Sequence, residues 1–334
     1  MLSVSTQASL KQKPRSTPKC NLSYSSLKCI LEHIEANKRF QLAIRCPELR
    51  SADKQTPLHI NYLAFNYAYT IFNDTKYQLG IYRHFPENQT IPDFFKNIND
   101  SGGAPFDLDR FGREDLEPEN LLTPGDMATS NPLPTWRNRI GAVWNDYAER
   151  SCKRLGELKG LQETPEILHE KDELQAAVYS ASLVQLGIPP PFETFLQLTV
   201  SEGRDKVRKE LMEGAAKKRE TMKYLLGKFL GDRGFPIHVK TLNMSADNTV
   251  IRLPLGVQFR FQKLYSTAHF AHMMSLPIFD PKSFPSHTIY INGDHPFELE
   301  ENHEHQVVQN AKVVVFRVPN QIPFIFEKAI FDAK

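Results

Sequence analysis

Between Leu22 and Arg50 apolar residues fall three and four apart, and from Pro57 onward they fall two apart. This switch of period constrains the chain more than any other feature, because it joins a helical unit directly to a strand. Ser23 or Ser25 can cap a first helix, along which Leu27, Ile30, Leu31 and Ile34 form an apolar stripe. Asn37 can end that helix and begin a second, which carries Phe40, Ala43 and Ile44 and must stop before Pro47. Pro47 suits the first turn of a short third helix, "PELRSADK". A unit of about 35 residues is too small to bury a sufficient core by itself. Its stripe must meet the strand beginning at Leu58, a partner protein, or both by different sides.

The rest of the chain divides by composition. Residues 1–20 are polar and are expected to form a disordered tail. In residues 57–98, "PLHINYLAF" and "YTIFNDTKYQLGIYRHF" read as strands, the latter a hairpin turning at "NDT", with a short helix in "IPDFFKNI". Residues 99–135 are dense in Gly, Pro, Asp and Asn and read as a long loop or linker. Helical spacing returns over 136–230. One helix carries Trp136, Ile140, Trp144 and Leu155, and a second opens at Thr164-Pro165 and ends at Gly187. A strand near 194–200 follows, and then a single charged helix is expected over 204–230, ended by Gly231 and Gly234. Over 231–334 strand-like runs recur, including "TVIRLPL". Four of them, "VKTLNM", "FRFQKLY", "HTIYIN" and "AKVVVFRV", recur at roughly 20–29 residues, the spacing of leucine-rich repeats without their strict consensus.

Catalytic signatures are absent. There is no phosphate-binding loop, dinucleotide fingerprint or nucleophile elbow. His269 and His272 lie close together, and His295, His303 and His305 lie among Glu298, Glu300, Glu301 and Glu304, but none is in the i, i+4 pairing of a helical zinc site. No catalytic residue, metal or cofactor is therefore expected. The net charge of +2 argues against a nucleic-acid partner. No apolar run approaches the ~18 residues of a membrane span, and the N-terminus has no apolar signal core. The four Cys show no paired spacing and suit free thiols in a reducing compartment, the cytoplasm or nucleus.

The order of "SLKCILEHI", a turn, "KRFQLAIRC" and "PELR" resembles the F-box motif, with Ser23 where that motif usually has Pro. Together with "NDTKYQLGIYR", "NINDSGGAPFDLDRFG" and "RGFPIHVKTLNM", it makes residues 22–334 similar to a nematode-expanded family of unknown function related to F-box C-type proteins. The resemblance implies that Leu22, Leu27, Ile30, Leu31, Ile34 and Leu42 hold a Skp1-type adaptor, and that the C-terminal region receives an unknown protein target. The expected fold class is α+β: an F-box-like helical unit over 21–56, a β-rich body with helical insertions, and an irregular leucine-rich-repeat-like region over 231–334. The expected function is a substrate receptor for a Skp1-cullin ubiquitin ligase. The alternatives are a stand-alone protein-binding module, whose Leu27 and Ile34 would be fully buried, and a concealed metal enzyme, whose histidines would converge.

Overall fold

The computed structural model describes residues 23–115, 122–129, 140–203, 206–212, 217–244, 250–266, 270–284, 286–292, 306–317 and 324–327. It is a mixed α+β fold built on one large sheet. The expected tail at 1–20 and Leu22 lie outside the described residues.

Helix α1 spans Tyr24–His33, and the Ser23 side chain caps it by accepting from the Ser26 N–H at 3.1 Å. Helix α2 spans Ala36–Arg45 and is capped by Glu35, two residues before the boundary expected at Asn37. Asn37 is buried instead, donating to the Phe72 carbonyl at 2.9 Å and accepting from the Tyr77 hydroxyl at 3.1 Å. After Cys46 a 3-10 turn, Pro47–Leu49, leads into α3, Arg50–Lys54.

Strands β1 (His59–Phe65), β2 (Tyr69–Phe72) and β3 (Thr75–His84) follow, with Asn73 in left-handed conformation at the expected hairpin turn. Helix α4 spans Asp93–Asp100, β4 is the short Met127–Ala128, α5 spans Ile140–Glu157 and α6 Pro165–Leu186. Thr164 caps α6, and Gly187 closes it at φ 65°. Then come β5 (Glu193–Glu202), β6 (Lys206–Met212), α7 (Lys218–Leu230), β7 (Ile237–Asn243), β8 (Val250–Ile251) and β9 (Phe259–Ser266). The chain continues through α8 (Phe270–Met274), β10 (Thr288–Asn292), α9 (Gln306–Asn310), β11 (Val313–Arg317) and β12 (Phe324–Glu327).

Among the described residues ten strands form the sheet, in the order β12-β11-β10-β9-β7-β1-β2-β3-β5-β6. Strand β1 is its pivot: it runs parallel to β7 on one side and antiparallel to β2 on the other. Strands β7, β9, β10 and β11 are the four recurring runs, and they lie side by side, parallel, in chain order. The run "TVIRLPL" is not among them; β8 pairs with β4 in a separate ribbon. The main core packs Phe40, Phe72, Tyr77 and Phe229 with the inward residues of β1, β7, β9, β10 and β11. A second cluster joins Ile81, Phe85, Phe95, Ala176 and Phe192.

Two expectations are corrected. The single helix over 204–230 is a strand followed by a helix. Residues Lys206–Met212 pair along β5, from Glu202↔Lys206 to Leu196↔Met212, so ladder bonds outweigh helical charge pairing. The charges on this strand suit its place at the sheet edge. The loop over 99–135 is, in its described parts, no mere linker. Ala104 bridges Ile81, Asp107 accepts from the Lys218 N–H at 2.7 Å, and Asp126 pairs with Lys223 and Arg252. Gly80 permits this, since a Cβ there would overlap the Gly102 carbonyl.

Candidate binding surfaces

The N-terminal unit has one face locked to the sheet and one left open. On the locked face, Phe40 stacks on Phe229 with ring centroids 4.4 Å apart and meets Phe72 edge-on at 5.1 Å. Arg39, 1 % exposed, holds Asp53 through Nε at 2.8 Å and donates to the carbonyls of Asp53, Pro57 and Thr56. Arg233, just beyond α7, reaches the other Asp53 oxygen at 3.0 Å. Burial pushes the Arg233 guanidinium down to about 10 while Asp53 opposes the shift, so it stays cationic at neutral pH.

The open face is on α1. Ile30 is 46 % exposed, Leu27 and Ile34 are half-buried, and Tyr24 is exposed beside them. Leu31, from the same expected stripe, is buried in the unit, and Leu42 on α2 is half-buried. The stripe is thus split: Ile30 is exposed, Leu27 and Ile34 are half-buried, and Leu31 is withdrawn. Cys29, Cys46 and Cys152 are exposed free thiols.

A second surface lies across the parallel strands. In β7 and β9 the buried positions are 237, 239, 242, 244 and 259, 261, 264, 266, an identical pattern in neighbouring strands. His238 and Lys240, and Arg260 and Gln262, alternate with these buried residues and share the opposite face, and one residue later the pattern shifts phase and leaves Thr241, Asn243, Lys263 and Tyr265 half-buried. Near the strand starts this face forms a groove of about 780 Å³. Lys240, Arg260, Lys282 and Lys312 line it together with His59, His238 and His287. Only Arg260 among these is paired with a carboxylate among the described residues, at 2.5 Å from Asp280. Burial alone would raise the Asp280 carboxyl. The Lys282 backbone N–H and the Arg260 guanidinium outweigh it and hold that carboxyl below its usual range. Burial, and then the neighbouring His59 and Arg260, push His238 below the usual imidazole value; its ring meets that of His59 edge-on at 4.9 Å.

Toward the other end of the strands, Tyr265 and Tyr290 stack at 4.1 Å with rings 4° from parallel. The Arg317 guanidinium lies 5.1 Å from the Tyr290 ring. Residue by residue, these strands carry cations for an anionic partner near their starts and planar rings for apolar or cationic groups toward their ends.

Residues 217–332 match the family model described as Domain of unknown function (DUF3557). No curated protein and no solved structure is detectably similar to the chain. The DUF3557 match begins just before α7 and spans β7 to β12, so it takes in α7, Arg233 and most of the basic groove.

The histidines singled out in sequence, His269, His295, His303 and His305, lie outside the described residues. Among the described residues no three His, Cys, Asp or Glu side chains gather as a metal would require. No helix among them is long and apolar enough to cross a membrane. Sequence reading missed the groove and the Arg39–Asp53–Arg233 network. Alternation in "IHVK" and "FRFQK" hinted at a basic strand face, but its members run from residue 59 to residue 312.

Proposed function

We propose that the protein is a non-enzymatic receptor of the cytoplasm or nucleus. Its N-terminal F-box-like unit docks a Skp1-type adaptor of a cullin ubiquitin ligase, and its parallel strands, an irregular leucine-rich-repeat-like array, hold a target protein. The observation that carries the reading is the exposure of Ile30 beside half-buried Leu27 and Ile34, on a unit whose other side is locked to the sheet. A helix with no partner would gain by turning such residues inward. The repeat-like reading is supported by the identical burial pattern of β7 and β9, twenty-two residues apart from Ile237 to Phe259. The basic groove suits an acidic segment of the target.

A second reading is a stand-alone binding module. It is favoured by the buried bridge from Arg39 through Asp53 to Arg233, which makes the N-terminal unit part of the body. Co-purification of the full chain with a Skp1-type adaptor separates the two. Tyr24→Asp with Ile30→Asp alters only exposed positions and should leave folding intact while weakening the complex at least tenfold. If the wild-type chain forms no complex, the ligase reading fails and the stand-alone module stands.

A further inference from the structure

We propose that Arg83 is the anion-binding group of a small internal site for a free carboxylate. Arg83 lies on β3 and is 2 % exposed. Its Nε and Nη1 atoms are buried and, among the described residues, reach no acceptor, and none of those residues pairs a carboxylate with the guanidinium. The rings of Phe95 and Phe192, 4.8 and 5.7 Å from its central carbon, attract the cation but offer it no hydrogen bond. Asn99 grips the Arg83 backbone at both its N–H and its carbonyl, which holds β3 beside α4. Burial pushes the guanidinium down to about 10, so the group remains cationic at neutral pH.

The same side chain lines a cavity of about 60 Å³ walled by the small residues Gly103, Ala104, Gly112 and Ala177. That is roughly four to six times the ~10–15 Å³ that one water needs. A buried cation without an anion is costly, and unmet donors on a residue that lines a cavity mark a place where an acceptor belongs. A carboxylate supplies two coplanar oxygens that match the guanidinium fork. The cavity lining also carries Glu114 and Glu173, with His169 at 3.4 Å from the latter. Those carboxylates favour a singly charged ligand over a phosphate dianion. The carboxylate can belong to a small free acid or to the C-terminus of a chain. The site stands on β3, α4 and α6, apart from the basic groove and the N-terminal unit, and does not depend on the receptor reading.

The experiment follows thermal unfolding of the full chain in sodium acetate, chloride and phosphate at matched ionic strength. Binding calorimetry then uses acetate, N-acetyl-dialanine and its C-terminal amide. Acetate should raise Tm by about 2 °C or more over chloride. Arg83→Met should abolish the rise. Ala177→Leu, which fills the cavity but keeps the charge, should abolish it as well, and decides the matter if the Met variant does not fold. Heat from the free dipeptide but not from its amide identifies a chain terminus, and heat from acetate alone identifies a small acid. The proposal is overturned if acetate and chloride act alike on the wild-type chain, if the rise survives both substitutions, or if phosphate stabilises more than acetate.

Discussion

Asp53 accepts from Arg39 Nε at 2.8 Å, and both side chains are almost completely buried although they lie on different helices of the N-terminal unit. The second Asp53 oxygen is taken by Arg233, which lies just beyond α7. One carboxylate thus faces two guanidiniums, and this juncture joins the helical unit to the rest of the fold.

Asp53→Asn keeps the shape of that side chain and removes its charge. Arg39 and Arg233 would then face each other inside the protein with no anion between them. The expected loss is about 3–5 kcal/mol of folding stability, the range seen when one partner of a buried pair is removed. Urea denaturation of the two chains measures it. A loss under about 1 kcal/mol would mean that the backbone carbonyls around Arg39 suffice to hold it.

Lys240 and Lys312 flank the basic groove and are both exposed, so reversing their charge should not disturb packing. Lys240→Glu with Lys312→Glu should weaken binding of a poly-glutamate peptide at least tenfold, about 1.4 kcal/mol. It should also flatten the dependence of binding on salt, since screened cations supply that dependence. Fluorescence anisotropy at two ionic strengths tests this, and equal affinities for both chains would exclude the groove as the binding site.

His238 gives the groove a pH response. Its folded value is lowered below 6.5, so the unfolded chain binds the proton more readily. The stability it contributes is present above pH 6.5 and is lost as pH falls from there through the folded value. Over the same fall the groove gains positive charge and should bind an acidic peptide more tightly. Denaturation between pH 7.5 and about 5 should show a shallower decline in His238→Asn than in the native chain. Parallel curves would show that His238 titrates alike in both states.

Much of the local structure was legible because its causes are local. Thr164-Pro165 and Gly187 bound α6 where caps and turn glycines require, and "NDT" turns the hairpin between β2 and β3. The runs that became β7, β9, β10 and β11 announced themselves by alternation and spacing. The segment 206–212 did not, because its charges satisfy helical pairing equally well and only the waiting edge of β5 made it a strand.

Sequence by itself determined that the N-terminal helices carry one apolar stripe too large to leave in water, and that strands dominate the last hundred residues. Period and capping act within a few residues, so the chain order alone contains them. Only the tertiary structure decided that Leu31 turns inward while Ile30 stays exposed, that Arg39, Asp53 and Arg233 meet, and that Arg83 lines a cavity with unmet donors. It also gathered cations from His59 to Lys312 into one groove. Those outcomes depend on which residues, distant along the chain, come to share a volume, and burial and electrostatics assign their roles only after that volume has closed.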